Sequence, residues 1–451
     1  MRSIFEISTR GMLTAKKSNE VTSNNIANAQ TPGYTRQRVQ LTEEVQRLAT
    51  GVFGRGVSVS QIERLRNELI DQQIIRKEHE IGNLSEQANI YRLMETSLIP
   101  SSDSGLDQMI SNFFNAYADV SNNPQDPNLR KVLLSKSQTM ASTFRELDKD
   151  LESFGNLAQD QAEIKLNRLN ELLQDIGSLN LEIARTHSTD STNNNVLDVQ
   201  MEKLKELASI AEFDAIEASD GTLEIRIGGI SVVSGQEVTQ LRAEVDAANQ
   251  AYRLRLPGGK LIEPGPGELA ANIHMYENGI PEARNQLDVL ATSLMDEINQ
   301  IHSDGYGLED GLQRQFFDST STGAFNMRVN DEIVQNPNHI AASSVAGEAG
   351  NNDQALDILN LQSERFIEGQ TISTRAVEFM GLAGLRLNEI EQKIESGKSS
   401  REFLINRQEQ LAGVNLDEEL SNLIRFQNSF QASAKVLDTG RQMFDTLLSI
   451  A

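Results

Sequence analysis

The sequence lacks residue types on which whole classes of protein function depend. It contains no cysteine and no tryptophan, and only 5% of its 451 residues are aromatic. Without cysteine, thiol catalysis, disulfide frameworks, iron–sulfur clusters and cysteine-based zinc sites are excluded. No apolar run approaches the ~20 residues of a membrane-spanning helix, and the N-terminal segment has no continuous apolar stretch typical of a Sec signal. We therefore expect a cytosolic chain, or one exported by another route.

Positive charge is also in short supply. The chain has 41 Lys and Arg residues against 65 Asp and Glu residues, a formal net charge of −24. Because nonspecific binding to phosphates needs clustered Lys and Arg, this charge argues against a broad nucleic-acid surface. At about 150 residues per domain, the length suggests roughly three domains.

Helical patterns cover most of the chain. Segments 61–97 and 128–186 are rich in Leu, Glu, Gln, Lys and Asn, and no proline interrupts either of them. In the second segment, apolar residues recur at alternating steps of four and three, with a slip of phase near Gln161. This spacing predicts a long helix with coiled-coil packing and a stutter. At ~1.5 Å per residue the helix would be roughly 85 Å long, which a compact enzyme rarely needs.

An insertion between Glu212 and Pro281 has a period of two instead. Strands are predicted at 222–227, 230–233, 237–245 and 252–256. Gly228 and Gly229 are typical of the tight turn in a β-hairpin. We expect a small antiparallel β domain within a helical rod, with helix resuming at Pro281 as a first helical position.

Both ends of the chain carry apolar stripes. A heptad frame on a C-terminal helix of about 35 residues holds Leu416, Leu420, Leu423, Phe430, Ala434, Leu437, Phe444 and Leu448. A weaker N-terminal stripe holds Ile4, Ile7, Met12, Ala15, Val21 and Ile26. Since chain ends normally fray, such stripes need a partner. Packing on the chain's own body and intermolecular assembly remain two alternatives, and pairing of the two terminal helices would satisfy both stripes.

A polar motif follows the N-terminal helix. Residues 24–36 read Asn-Asn-Ile-Ala-Asn-Ala-Gln-Thr-Pro-Gly-Tyr-Thr-Arg. Pro32 and Gly33 fit the two central positions of a type II turn, and Thr31, which precedes the proline, favours extended geometry. The motif predicts a helix end, a sharp turn and an edge strand with a polar face, in which the side chains of the neighbouring asparagines cap the backbone.

This motif resembles the N-terminal signature of the flagellar axial proteins, the family of rod, hook and hook-associated subunits, and most resembles its hook-associated members. Further segments resemble the same family in the same order along nearly the whole chain. They are Gly-Arg-Gly-Val-Ser-Val at 54–59, Asn-Val-Leu-Asp at 195–198, Gly228-Gly229, Asn-Gln-Ile-His at 299–302, Ile-Ala-Ala-Ser at 340–343, and 414–437.

The resemblance implies a structural subunit that joins the flagellar hook to the filament by self-assembly. The implied partners are the hook protein, the second hook–filament junction protein, further copies of the chain in a helical or ring-like array, and a cytosolic export chaperone on the C-terminal helix. Export would use the flagellar type III apparatus, which places the protein in the extracellular flagellum. Assembly contacts are predicted at Ile4, Ile7, Met12, Asn25, Asn28, Thr31, Pro32, Gly33, Tyr34, Arg36, Leu416, Leu420, Leu423, Phe426, Phe430, Ala434, Leu437, Phe444 and Leu448.

The predicted fold is mainly α with a small β insertion: an elongated rod of long helices whose N- and C-terminal helices pair as a coiled coil. We expect residues 1–60 and 401–451 to form a terminal axial layer and residues 61–211 and 281–400 a helical rod domain. Residues 212–280 form the inserted β domain.

The sequence gives little support for a catalytic motif. The five histidines, His79, His187, His274, His302 and His339, are scattered and form no His-Glu-x-x-His motif. His302 is interpreted as a histidine at the end of a helix that Gly305 stops. Gly51, Gly54 and Gly56 lack the strand and the Lys of a phosphate-binding loop, and are assigned to a β turn. We predict no catalytic, cofactor or metal site. The alternatives are another axial subunit of rod or hook and, remotely, an enzyme displayed through the β insertion.

Overall fold

The chain is built mainly from long helices. The computed structural model describes residues 2–31, 33–48, 51–98, 105–185, 191–218, 221–309 and 311–450. Its helices are α1 (Arg2–Ala27), α2 (Glu68–Leu98), α3 (Leu106–Asn122), α4 (Pro127–Arg185), α5 (Ser191–Ile210), α6 (Glu268–His274), α7 (Ile280–Ser303), α8 (Asp331–Gln335), α9 (Asp353–Asn360), α10 (Ile372–Ala412) and α11 (Leu416–Ile450). The predicted mainly helical fold with small antiparallel sheets is confirmed.

Within the described residues, the strands form three antiparallel sheets. They are β1 (Gln37–Leu48), β2 (Gly51–Arg64), β3 (Asp214–Glu217), β4 (Leu223–Ile227), β5 (Ile230–Ser234), β6 (Glu237–Val238), β7 (Arg242–Asp246), β8 (Ala251–Arg255) and β9 (Leu261–Ile262). The first two form a long hairpin, the next four a sheet in the order β3-β4-β5-β6, and the last three a sheet in the order β7-β8-β9.

Helix α4 is the axis of the rod. It has 59 residues, so its length is about 88 Å at ~1.5 Å per residue. Leu151, Ala158, Ala162 and Leu169 are all buried on one side of it. The predicted long helix is thus confirmed, and small alanines occupy its buried side around the phase slip.

Helices α2 and α10 form the second rod element, packed antiparallel. The pairs Glu78–Arg401 and Glu391–Arg92 join the two helices at 3.1 and 2.8 Å. Between them, Gly397 faces Ile81 so closely that a Cβ would lie 3.1 Å from the isoleucine side chain. The absent side chain allows the two backbones to approach.

The β insertion is held on α4 by asparagine side chains. Asn180 donates to the carbonyls of Leu223 and Gly235 at 2.8 and 2.7 Å, and it accepts from the Leu223 amide at 2.9 Å. Asn170 both donates to and accepts from the backbone of Leu241 at 2.9 Å. The single strand predicted at 237–245 is therefore wrong. The backbone of Leu241 forms hydrogen bonds with Asn170 of α4, and this interruption separates β6 from β7.

The turn between β4 and β5 of the insertion agrees with the prediction from the sequence. Gly228 and Gly229 join β4 to β5 with φ values of 55° and 73°, as the predicted hairpin requires. Pro281 lies in the first turn of α7, as predicted, but the helix does not resume there after a loop. The chain is already helical from Glu268, and a π-helical turn at Met275–Gly279 precedes α7. A π turn changes the hydrogen-bond ladder at the point where proline cannot donate.

The β1–β2 hairpin was predicted only in its first strand, the edge strand after the turn, and its second strand was not predicted. Gly51, Gly54 and Gly56 lie in β2, so their assignment to a β turn is wrong, and residues 61–64 are strand and not helix. Gly56 has a φ of 95° beside a register shift of the hairpin. A Cβ there would lie 3.4 Å from the backbone of Ile7, so this glycine lets α1 pack closely on the hairpin.

We call the end of the rod farthest from the terminal helices the distal end (residues 105–126 and 304–371), and its buried side chains belong to the same hydrophobic core as those of α4. Phe113 packs edge-on against Tyr117 and Phe316, with ring centroids 5.1 and 5.9 Å apart. The fully buried Arg130 donates to the carbonyls of Pro124 and Ile340. The first segment of the distal end is therefore fixed to the second.

Candidate assembly interface

The motif at 24–36 folds as a helix end followed by a turn. The amide of Tyr34 donates to the carbonyl of Thr31 at 3.2 Å, and Gly33 has a φ of 79°. That angle is the one a type II turn requires at its third residue. Pro32 lies outside the described residues. Asn28, a further predicted residue, donates to the carbonyl of Asn24 at 3.0 Å and accepts from the Thr31 hydroxyl at 3.3 Å.

Asn25 is the hub of this motif. Its side chain is only 1% exposed and makes four hydrogen bonds. Its amide donates to the Gln37 carbonyl at 2.9 Å and to Glu419 at 3.1 Å. Its oxygen accepts from the Tyr34 hydroxyl at 2.8 Å and from the Gln37 amide at 3.0 Å. An asparagine side chain offers two donors and two acceptors, and all of them are used here.

Glu419 brings the C-terminal helix to the same place. Its carboxylate is buried, and Arg36 donates to it at 2.6 and 2.9 Å. A second ion pair at 3.0 Å joins Arg36 to the exposed Glu418. A carboxylate this buried is stable only with charged and hydrogen-bonding partners, and Arg36 and Asn25 supply both.

Helix α5 holds the motif from the rod side. Asp198 accepts from the Thr35 amide at 3.1 Å and from Arg64 at 2.7 Å. Asn195 accepts from the side chain of Gln37 at 3.2 Å. Burial, followed by the negative charges of Asp198 and Glu419, raises the pKa of the Tyr34 phenol. Tyr34 therefore remains a neutral donor to Asn25.

Helices α1 and α11 pack antiparallel in a constant register. Ile4 faces Gly440, Gly11 faces Ser433, and Asn25 faces Glu419. The seam of α1 follows a heptad spacing, and its members are Ile4, Ser8, Gly11, Ala15, Ser18, Thr22 and Asn25. A Cβ at Gly11 would lie 2.7 Å from the Ser433 hydroxyl, so the helices approach closely. Small residues permit that approach but bury little apolar surface.

The predicted N-terminal stripe is therefore only partly in this seam. Ile4 and Ala15 belong to it, whereas Ile7 is 40% exposed with its backbone against Gly56 of the hairpin, and Met12 and Ile26 are half-buried. The heptad was missed because its members are mostly serine, glycine, threonine and asparagine, which carry no hydrophobic period.

On α11 the predicted stripe is covered only in part, by four half-buried side chains on either side of Phe430. Leu423, Phe426, Ala434 and Leu437 are half-buried. Leu416, Leu420, Phe430, Phe444 and Leu448 are exposed. Because Gly440 already faces Ile4, the turns that carry Phe444 and Leu448 extend beyond the start of α1. The hypothesis that pairing would satisfy both stripes is not borne out by this packing, since both ends of the α11 stripe stay open. We call the two helices and the hairpin (residues 2–64 and 416–450) the terminal layer.

His302, the histidine considered as a catalytic candidate, is held by hydrogen bonds to the backbone. His302 is fully buried: its Nδ1–H donates to the Arg314 carbonyl at 2.7 Å, and its Nε2 accepts from the Ala341 amide at 2.8 Å. Burial lowers its pKa to about 4. Within the part of the chain that the structure describes, no group of three or more His, Asp or Glu residues could hold a metal ion. In the same residues, no helix has the length and apolar character needed to cross a membrane.

Three residues that complete the interface were not singled out from the sequence: Arg64, Asp198 and Glu419. Their contacts join segments 134 and 394 residues apart. Asp198 and Glu419 do lie in segments that resemble the axial family, and that was the one signal pointing to them.

Known proteins match the chain along its length. The model of the family described as flagellar hook-associated protein FlgK helical domain matches residues 93–317. Models described as flagella basal body rod protein and flagellar basal body rod FlgEFG protein C-terminal match residues 5–35 and 410–450. These terminal matches correspond to α1 with its turn and to α11.

Similar whole proteins support the same relationship. Flagellar hook-associated protein 1 of Bacillus subtilis is 25% identical over 99% of this chain and 97% of its own length. The protein of that name from Salmonella typhimurium is 23% identical over the full length of both chains. The structure of the flagellar hook junction protein FlgK from Burkholderia pseudomallei has a TM-score of 0.65 and 12% identity, and covers 75% of this chain and 99% of that one.

Proposed function

Since the chain belongs to the family of flagellar hook-associated protein 1, we propose that it joins the flagellar hook to the filament as a structural subunit that assembles through its terminal layer. It is part of the bacterial flagellum and assembles with other axial components. The family match in the helical middle distinguishes it from rod and hook subunits, because the rod-type models match only the two ends.

The observation that carries this mechanism is the uncovered α11 stripe. Phe444 and Leu448 are 44% and 61% exposed, and Leu416 and Leu420 are exposed at the other end of the same helix. Contiguous exposed apolar surface marks interaction sites in soluble proteins. Neighbouring subunits in the axial array would cover it, through heterologous contacts that build helical or ring-like arrays.

The seam between α1 and α11 supports assembly-coupled ordering. Its small and polar residues bury little apolar surface, so the pairing of the two helices contributes modest free energy. Full ordering of the terminal layer would then depend on contacts with neighbouring subunits, as in segments that fold on binding. The residues predicted as assembly contacts are proposed in this role.

The individual binding partners follow from the same proposed role. We propose the hook protein on one side, the second hook–filament junction protein on the other, and further copies of the chain alongside. A cytosolic chaperone would cover the α11 stripe before export through the flagellar type III apparatus. We also propose that the subunit is not an enzyme, and that the predicted terminal, rod and β-insertion division of the chain describes its working parts.

The test removes exposed apolar surface from α11. A double variant, Phe444→Ser with Leu448→Ser, should remain folded in the rod but fail to enter flagella in cells lacking the wild-type protein. A matched control, Leu385→Ser with Phe403→Ser, removes exposed apolar side chains of 74% and 64% exposure from α10. Normal filaments with the α11 variant, or equal loss with the control, would refute the role given to this helix.

A further inference from the structure

Helix α10 has a second periodic face on the side that points away from the rod. On its rod side, Leu387 and Ile390 pack with Ala88 of α2, and Gly397 lies against Ile81. On the opposite side, alternating steps of four and three residues select a row of exposed side chains, which we call the outer stripe. Its members are Leu385, Glu389, Gln392, Ser396, Ser399, Phe403, Asn406 and Gln410.

The outer stripe is almost free of charge. Glu389 is its one charged member, and that carboxylate pairs with Lys393 at 2.7 Å and with Arg386 at 3.5 Å on the same helix. Charged side chains make up 24% of the whole sequence, and they normally occupy the solvent face of a helix. Small and polar residues at heptad positions already pair α1 with α11 in this chain. The outer stripe therefore has the composition of a helix-packing seam.

Opposite charges flank the outer stripe on its two sides. On one side, at the positions called g in a coiled coil, the exposed residues are Asn388, Glu395, Glu402 and Glu409. On the other side, at the positions called e, the exposed residues are Arg386, Lys393, Ser400 and Arg407. Charges at e and g set the partner and the orientation of paired helices. One flank is acidic and the other is basic.

This arrangement is complementary to itself in one orientation. In a parallel pair of helices, a g residue of one helix faces an e residue of the other. Glu402 of one copy would then face Arg407 of the second copy, and the reverse contact would form as well. In an antiparallel pair each flank would face its own kind, and like charges repel. Within the described residues, the ion pairs of α10 involve residues such as Glu391 and Arg401, and neither Glu402 nor Arg407 takes part.

We propose that the outer stripe binds the outer stripe of a second copy of this chain, parallel and in register, and so pairs free copies before assembly. The inference goes beyond the proposed function, because it uses α10 and leaves α11 uncovered. Leu385 and Phe403 supply the apolar contacts, and the polar members fix the register at a cost in stability. The pair is therefore weak, and its copies separate when they enter the flagellum.

The absence of cysteine allows a direct test in the full chain. Gln392→Cys and Asn406→Cys each place one thiol in the outer stripe, and the two positions are roughly 21 Å apart along the helix. A disulfide needs two Cα atoms within about 7 Å. In a parallel pair, each variant should form a disulfide with a second copy of itself under mild oxidation. Lys398→Cys is the control, an exposed position outside the outer stripe, and should crosslink far more slowly.

A mixture of the two stripe variants reads the orientation. Peptide mass spectrometry should find disulfides between like positions and none between 392 and 406. Disulfides found only between 392 and 406 would mean an antiparallel pair. Crosslinking of the stripe variants no faster than that of the control would leave the outer stripe to solvent or to another helical partner. Either result overturns the proposal.

Charge reversal tests the flanks. Glu402→Lys sets two cations against each other in each contact between the copies, and Arg407→Glu sets two anions against each other. Sedimentation velocity at physiological ionic strength should show each variant pairing roughly tenfold more weakly than the wild-type chain. An equimolar mixture of the two variants restores both ion pairs and should associate like the wild-type chain. Circular dichroism checks that the fold is unchanged, and a mixture as weak as either variant alone overturns the proposal.

Two double variants separate this inference from the proposed function. Leu385→Ser with Phe403→Ser should stay monomeric in sedimentation velocity, because it removes the apolar contacts of the outer stripe. Phe444→Ser with Leu448→Ser should pair like the wild-type chain and yet fail to enter flagella. Wild-type pairing by the α10 variant, or loss of pairing in the α11 variant, would overturn the inference. Normal entry of the α11 variant into flagella would refute the proposed function alone.

Discussion

The carboxylate of Glu419 accepts a hydrogen bond of 3.1 Å from the amide of Asn25, across 394 residues of sequence. One residue closes the N-terminal helix and the other opens the C-terminal helix. Arg36 completes the cluster by donating to the same carboxylate. The two ends of the chain are thus expected to order together.

Glu419→Ala should loosen both terminal helices. It removes the buried acceptor that Arg36 and Asn25 share and leaves Arg36 only the exposed Glu418, and breaking a buried pair in this way costs on the order of 3 kcal/mol. Hydrogen exchange of α1 and of residues 33–40 should accelerate together with that of α11. Glu418→Ala is the control, since it removes the 60% exposed partner of the same arginine and should cost below about 1 kcal/mol. Protection of α1 unchanged by Glu419→Ala would contradict the coupling.

Gly33→Val should disturb the turn and leave the rod intact. The φ of 79° is unfavourable for a β-branched residue, and an added Cβ would lie 3.0 Å from the Glu202 side chain. Strain of this kind costs about 1–3 kcal/mol. Soft-agar motility should fall while the thermal melting of the rod helices stays constant. Gly311→Val, at a φ of 62° with no atom within 4 Å of its Cβ position, should swim normally; full motility of the Gly33 variant would count against the turn.

Asn180→Ala should detach the β insertion from α4. The change removes the three hydrogen bonds that hold Leu223 and Gly235, and a buried polar group left unsatisfied costs about 1–3 kcal/mol. Hydrogen exchange should increase in β4 and β5. Asn170→Ala removes a similar grip that is only part-buried and should have a smaller effect, mainly around Leu241. Equal effects of both variants, or none, would argue against the grip as the anchor of the insertion.

His302 of α7, which bonds to Arg314 and Ala341 of the distal end, should make this contact sensitive to acid. Its folded pKa of about 4 lies below the ordinary value of 6.5, so the unfolded chain binds the proton more readily in that window. Stability is therefore complete above about pH 6.5 and is lost as the pH falls towards 4, by about 2 kcal/mol between pH 7 and pH 5. Thermal melting at the two pH values should show a smaller acid-induced drop for His302→Gln than for the wild-type chain. An identical drop would assign the acid response to other groups.

The sequence predicted elements whose signal is local. The boundaries of α4 and the start of α11 follow from apolar spacing and from the positions of proline and glycine, and the Gly228-Gly229 turn follows from backbone conformation. The first strand of the β1–β2 hairpin was predicted as an edge strand, but β2 was not, because its glycines and polar residues lack a clear period of two. Its pairing depends on α1, which Gly56 allows to approach.

The residues of the site were harder to predict from the sequence than the fold. The residues of the 24–36 motif could be found because they form one short string. Asp198 and Glu419 are single carboxylates on long helices rich in such residues, and no spacing rule relates them to the motif. The residues of α1 that contact α11 were not predicted for another reason. Close packing of the two helices requires small residues at these positions, and small residues produce no hydrophobic periodicity.

The connection between the terminal layer and the rod has a mechanical consequence. The chain crosses between them twice, at residues 65–67 and 413–415, and the ion pair of Arg64 with Asp198 at 2.7 Å forms a further attachment. A single tether would let one part swivel about the other. A joint that the chain crosses twice and that α5 also holds through Asp198 and Asn195 resists twisting, so a rotating flagellum can pass torque through this subunit without twisting its linkers.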